Sequence, residues 1–331
     1  MCQCLQKYWR QLSMNYRYLG QTKLHVSELC LGTMQFGWSV SEKDSFDIIS
    51  AAVECGINFI DTANIYSQWA KDNPGGTAET IIGNWLSKTS VPRDDLIIAT
   101  KVRGQMGTDP NNQGLSKSHI MKAVEDSLRR LKIDTIDLYQ THWPDEDISI
   151  DETLSAMDTL VKQGKVRYIG CSNYTANSLI EALLSSEKNN TVQFHSLQPH
   201  YSLVNRTEYE SNLFSVCKQY KLGVLPYSPL GGGFLTGKYH ANKPLPKSVR
   251  ANKAQNYMSE KNFQLIRTLE TVAQLRNKSI SQIALRWLLS QHEVTAAIIG
   301  PRTITQLHDN LGAVEFQLTE PELEKIDKAS T

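Results

Sequence analysis

Apolar residues follow two alternating patterns along this chain. Short near-continuous runs occur at 27–33 (SELCLGT), 57–62 (INFIDT), 96–102 (LIIATKV), 135–141 (TIDLYQT), 167–172 (RYIGCS), 194–199 (FHSLQP), 223–228 (GVLPYS) and 296–300 (AAIIG). Such runs suit strands buried on both faces. Between them the period lengthens to that of a helix, at 43–55, 78–88, 117–131, 151–163, 175–186, 207–221, 260–276 with 280–291, and 303–312. In 117–131, Ile120, Val124, Leu128 and Leu131 form one stripe, as on a helix lying against a wall. Thr319 and Glu322 have capping-box spacing and predict a final helix. Residues 15–25, with Gly20-Gln21 at the turn, predict a hairpin ahead of the first strand.

Strands alternating with helices build a parallel sheet through right-handed crossovers. Eight repeats favour closure into a (β/α)8 barrel, an α/β TIM barrel with the hairpin plugging its bottom. A doubly wound dinucleotide fold should open with GxGxxG, and the first junction here reads GTMQFGWS instead. Two segments exceed plain connections, 67–77 and 231–258. Both leave the C-terminal ends of strands, where active-site and lid loops belong.

Composition narrows the class. The 331 residues carry a net charge of +1, with 40% hydrophobic and 21% charged residues. That is ordinary for a globular chain and gives no case for a nucleic-acid or membrane partner. A single domain over 14–331 follows, preceded by a flexible extension at 1–13 without a secretory apolar segment. Cys2 and Cys4 form only CxC, and most of the other four cysteines lie in apolar segments. Cytoplasmic residence with reduced thiols is expected, and no metal site. Cys171, at a strand end without a clear base beside it in sequence, reads as packing.

Candidate chemistry gathers at strand ends. Asp61, Lys101 and His142 each close an apolar run, and Tyr66 follows Asp61 by five positions. In a closed barrel all four reach one rim. Lys101 is expected to lower the Tyr66 pKa by stabilising the phenolate, with Asp61 holding the lysine. A phenol so placed can protonate a developing alkoxide, while His142 hydrogen-bonds the carbonyl oxygen. Reducing electrons must come from a cofactor. Taken alone, Asp61 and Lys101 read first as a structural ion pair, and His142 as a hydrogen-bonded core histidine.

The words around these residues resemble the aldo-keto reductases. They are DTANIY at 61–66, Lys101 in ATKV, LYQTHWPD at 138–145, GCSNY at 170–174, YSPLGGGFLTGKY at 227–239 and GPRTITQLHDN at 300–310. The likeness is strongest to the bacterial-type and potassium-channel-β-like branch. It implies a catalytic set of Asp61, Tyr66, Lys101 and His142, with Tyr66 as general acid and NADPH/NADP+ as cofactor. Ser172, Asn173 and Gln198 would meet the nicotinamide carboxamide, and Tyr227 would stack on its ring. Ser228, Leu230 and Gly231, Gly232 and Gly233 would flank the pyrophosphate. Arg302, Gln306, Asp309 and Asn310 would take the adenosine end; Asp309 stands where relatives often carry Glu. Gly32, Thr33, Met34, Asp61, Pro229, Lys238 and Gly300 are further expected cofactor contacts.

Trp38, Trp69 and Trp143 are expected to line a pocket for a small-molecule carbonyl or alcohol. The basic residues Lys238, Lys243, Lys247, Arg250 and Lys253 read first as a solvated loop, and next as a clamp for the cofactor or an acidic substrate. A monomer or small homo-oligomer is expected. The competing class is a nucleotide-sensing subunit like the potassium-channel β proteins. A metal-dependent barrel hydrolase would want converging His and carboxylate ligands, and no predicted strand carries HxH.

Overall fold

A computed structural model describes residues 14–240, 244–246 and 250–331. The extension expected at 1–13, with Cys2 and Cys4, and two of the loop lysines, Lys243 and Lys247, lie outside the described residues. The hairpin strands β1 (Tyr16–Tyr18) and β2 (His25–Ser27) pair antiparallel. Eight parallel strands follow: β3 (Leu29–Gly32), β4 (Phe59–Asp61), β5 (Ile97–Val102), β6 (Ile136–Thr141), β7 (Val166–Ser172), β8 (Ser196–Gln198), β9 (Gly223–Val224) and β10 (Ala297–Ile299). Their order is β10-β3-β4-β5-β6-β7-β8-β9. The last seam closes by parallel bridges, Val224 to Val294 and Tyr227 to Ile298. The fold is the (β/α)8 barrel that the alternation predicted.

The run at 223–228 yields a strand of only two residues, because Pro226 has no N–H for the ladder. Its carbonyl still accepts from Ile298 N at 2.9 Å, which keeps the seam shut. The helical pattern at 207–221 opens on a π-helical turn, Tyr209–Leu213, before the α-helix Phe214–Gln219. Segment 231–258 is not plain loop: it holds a 3-10 turn, Gly231–Thr236, and a short helix, Ala251–Gln255. Helices α1 (Glu42–Glu54), α2 (Thr77–Leu86) and α3 (Lys117–Leu131) cover the outer wall after β3, β4 and β5. The stripe read on α3 is buried as predicted, and the Thr319–Glu322 capping box opens the final helix, Glu320–Ser330.

The barrel interior is its own apolar cluster. Leu19, Leu24 and Val26 of the hairpin segment pack with Cys30, Phe59, Ile97, Ala99, Leu138, Leu225 and Ile298. The hairpin therefore stoppers the N-terminal end. Its turn depends on Gly20, at φ 53°, where a Cβ would meet the His195 carbonyl oxygen at 2.5 Å. The other end of the barrel is left for chemistry.

Candidate active site

Asp61 ends β4 and Lys101 lies one residue from the end of β5, both fully inside the wall. Lys101 Nζ donates to Asp61 Oδ2 at 2.6 Å, to the Thr62 carbonyl at 2.8 Å and to the Tyr66 hydroxyl oxygen at 3.0 Å. An ammonium has three N–H donors, so all three are spent. Tyr66 thus accepts from Lys101 and keeps its own hydrogen for a group in the cavity. The turn carrying Tyr66 is pinned by Ser67, at φ 73°, whose hydroxyl donates to the Phe36 carbonyl at 2.5 Å.

His142 follows β6, with its ring 5.8 Å from that of Tyr66 and stacked on Trp143 at 3.8 Å. Burial, then the Lys101 and Arg103 charges, hold His142 well below the usual imidazole value of 6.5. It is a neutral hydrogen-bonding group at pH 7. The expected lowering of the Tyr66 pKa does not survive. Burial raises it above 10.0; Lys101 pulls it down by less, and Asp61 pushes it up again. Burial also opposes the Lys101 charge, but Asp61 and then Tyr66 outweigh it, and the net shift is upward. The phenol and the ammonium both keep their protons.

Above these groups opens a cavity of about 690 Å³. Tyr66, His142, Trp69, Trp143, Ile65 and Met34 line it. So do Gly32, Thr33, Ser172, Asn173, Gln198, Tyr227, Ser228, Pro229, Leu230, Gly232, Gly233, Lys238, Gly300, Arg302, Gln306, Asp309 and Asn310. Asp61 touches it too, while Lys101 lies beneath, reached through Tyr66.

Two expected lining residues are absent from that wall. Trp38 packs edge-on against Trp69, ring centroids 5.7 Å apart, while Thr33, Met34 and Gln35 before it reach the cavity wall. Gly231 is buried in its turn, where a Cβ would come within 2.8 Å of Val204. Conversely, Arg250 and Lys253 do face the cavity, against the solvated reading of their loop. The short helix Ala251–Gln255 turns them inward, a folding event that a charge run does not announce. Gln35 and Gln140 were also missed, although Gln140 stands out as an amide within an apolar run.

The polar side chains hold one another in place. Tyr227 donates to Asn173 Oδ1 at 2.8 Å, and Asn173 Nδ2 donates to the His142 carbonyl at 2.9 Å. Ser172 donates to the Gln198 carbonyl at 2.8 Å. Tyr227 lies flat on His200, 5.0 Å between rings and 9° between planes. Gly232 and Gly233, at φ 65° and 99°, adopt backbone that side-chain-bearing residues avoid. Cations crowd this wall. Burial and then Arg302 lower Lys238, and burial and then Arg250 lower Lys253.

The sequence profile of the aldo/keto reductase family matches residues 28–331. The chain belongs to the aldo/keto reductase family. This family member is 40% identical over 310 residues to the uncharacterized oxidoreductase YrpG of Bacillus subtilis (strain 168), covering 92% of each chain. It is 34% identical over 338 residues to protein tas of Escherichia coli (strain K12), covering 95% of this chain and 97% of that one. A Schizosaccharomyces pombe protein provisionally named a voltage-gated potassium channel subunit beta is 32% identical over 330 residues, at 95% and 92% coverage. Among the described residues no helix is long and apolar enough to cross a membrane.

Proposed function

We propose that this oxidoreductase is an NADPH-dependent reductase of small aldehydes and ketones, with Tyr66 as its general acid. The observation that carries the reading is the complete use of the Lys101 ammonium, which leaves the Tyr66 hydrogen as the proton available to the cavity.

The residues present fit an extended dinucleotide. Lys238, Lys253 and Arg302 face one cavity, and no carboxylate among the described residues lies within ion-pair distance of them. Their mutual repulsion is relieved by an anion, and Arg302 suits a phosphate through its paired donors. Gly232 and Gly233 offer bare backbone beside it, and a Cβ on Gly300 would meet nothing within 4 Å. The Tyr227 ring, backed by His200, offers a flat face to a planar ring. A bound nicotinamide supplies the hydride when it is present.

The chain's own part is proton delivery and positioning. A neutral His142 donates a hydrogen bond to the carbonyl oxygen and makes its carbon more electrophilic. As charge develops on that oxygen, Tyr66 gives it the proton. Lys101 steadies the resulting phenolate from 3.0 Å, and Asp61 keeps Lys101 aimed. Trp69, Trp143, Ile65 and Met34 provide apolar contact for the carbon skeleton.

The test is NADPH oxidation over a panel of aldehydes, ketones and sugars, wild type beside Tyr66→Phe. Turnover should fall about 100- to 10,000-fold in the variant, with NADPH binding kept. Undiminished turnover would end the assignment. Likeness to the potassium-channel-named relative motivates a second reading, a nucleotide-sensing subunit; tight NADPH binding without turnover on any carbonyl would favour it.

A further inference from the structure

Gln140 sits on β6 in register with Lys101 of β5, buried and beneath the cavity rather than in its wall. Its Nε2 donates to Asp61 Oδ1 at 3.1 Å. Gln198, from β8, donates to the same oxygen at 2.9 Å and to Gln140 Oε1 at 3.2 Å. Asp61 therefore divides its two oxygens: Oδ2 serves Lys101, and Oδ1 serves two amides. Gly170 of β7 packs beside Gln140, and a Cβ there would clash first with Ser196 Oγ, at 2.3 Å.

The hydrogen inventory gives Gln140 a consequence at the cavity. Both hydrogens of the Gln198 amide are committed, one to Asp61 and one to Gln140. The atom that Gln198 has left for a ligand is its carbonyl oxygen, an acceptor. Rotating that amide by half a turn would set its oxygen against the Gln140 carbonyl and the Asp61 carboxylate, with no hydrogen among them. Asp61 alone already disfavours the rotated amide; Gln140 adds a second carbonyl against it and takes up the hydrogen that Gln198 would otherwise hold free for a ligand.

We propose that Gln140 is a positioning residue for the reduction, which locks the Gln198 amide as a hydrogen-bond acceptor toward the cofactor carboxamide and steadies Asp61 behind Lys101. The inference rests on the NADPH-reductase reading above. It predicts two linked effects from one buried side chain that touches neither substrate nor cofactor. Removing its amide weakens NADPH binding through Gln198 and slows proton delivery through Asp61, Lys101 and Tyr66.

Two variants test it. Gln140→Met keeps the length and removes the hydrogen bonds. Its Kd for NADPH should rise, and its kcat fall, each by about 10- to 100-fold, the effect of losing a bond to a charged network. Gln140→Glu keeps an acceptor for Gln198 and, when protonated, a donor to Asp61. Its activity should approach wild type at low pH and fall as the pH rises and a second carboxylate forms beside Asp61. The titration should lie above the ordinary glutamate value of about 4.3 and be missing from wild type and from Gln140→Met. If Gln140→Met does not fold, the pH titration of Gln140→Glu carries the test.

Both variants matching wild type in Kd, kcat and pH profile would reduce Gln140 to a space-filler and overturn the proposal. The wild-type and Tyr66→Phe controls separate this from failure of the underlying reading. Wild type that neither binds NADPH nor depends on Tyr66 would bring down both; normal controls with indifferent Gln140 variants would bring down this one alone.

Discussion

At the scale of single residues, burial and charge compete over the same proton, and the outcome sets a pH dependence. Burial lifts Tyr66 above 10.0 despite Lys101, so the phenol stays protonated through the neutral range. Burial with the neighbouring cations keeps His142 neutral down to well below 6.5. In the proposed reduction the phenol proton would be consumed, so the rate would be lost only as pH rises through the elevated Tyr66 value. The kcat/KM for reduction should be flat from pH 6.5 to about 10 and decline above that. A decline centred near pH 7 in steady-state rates would contradict these protonation states. The gathering of Asp61, Lys101 and His142 was legible because each stands at the end of an apolar run, with Tyr66 five positions after Asp61. The direction of the Tyr66 shift was not, since it depends on how completely the fold removes water from the hydroxyl.

At the scale of elements, backbone approach matters more than side-chain pattern. Helix α2 crosses the end of α3 at Gly83, where a Cβ would come within 2.1 Å of the Arg130 carbonyl oxygen and 2.8 Å of the Leu131 carbonyl carbon. Backbone cannot step aside as a flexible side chain can. Gly83→Ala should therefore destabilise by about 1–3 kcal/mol, although alanine is the better helix former. Urea melts of the two proteins would measure it; a more stable variant would mean the crossing is looser than it stands here. The same helix pair carries a polar clasp. Arg130 Nε donates to buried Glu79 at 2.7 Å, and Thr100 of β5 donates to the other Glu79 oxygen at 2.5 Å. Periodicity located α3 to the residue, because its stripe is unbroken, but it missed the π turn at Tyr209–Leu213. A π turn shifts the phase of the pattern by about 100° but spans a single turn, too short a stretch for periodicity to reveal.

At the scale of the whole molecule, a buried charge cluster joins the plug to the barrel seam. Glu28, just before β3, accepts from Asn15 at 2.8 Å and from Arg17 at 3.1 Å, with Arg286 at 3.8 Å. Arg17 also donates to the carbonyls of Val294 at 2.5 Å and Leu289 at 3.1 Å. Hairpin, first barrel strand, the helix Ile280–Leu289 and the approach to the last strand meet there. Glu28→Gln leaves Arg286 buried without its counter-charge and should cost about 3–5 kcal/mol. Equilibrium unfolding would show it as a lower denaturant midpoint; an unchanged midpoint would mean that water or neighbouring carbonyls carry the guanidinium.

Chain order alone determined a good deal here. Eight buried runs separated by helical stretches force parallel pairing, and parallel strands with helical crossovers bring their C-terminal ends to one side. The barrel and the gathering of Asp61, Tyr66, Lys101 and His142 follow from that periodicity. What tertiary structure decided is whatever depends on distances between residues far apart in the chain. Arg250 and Lys253 turn into the cavity, Trp38 packs against Trp69, and Gln198 meets Gln140 across 58 positions of sequence. Hydrophobic periodicity assigns a residue to a face. A hydrogen bond or a desolvated charge depends on separations of a few tenths of an ångström, and only the packed barrel sets those.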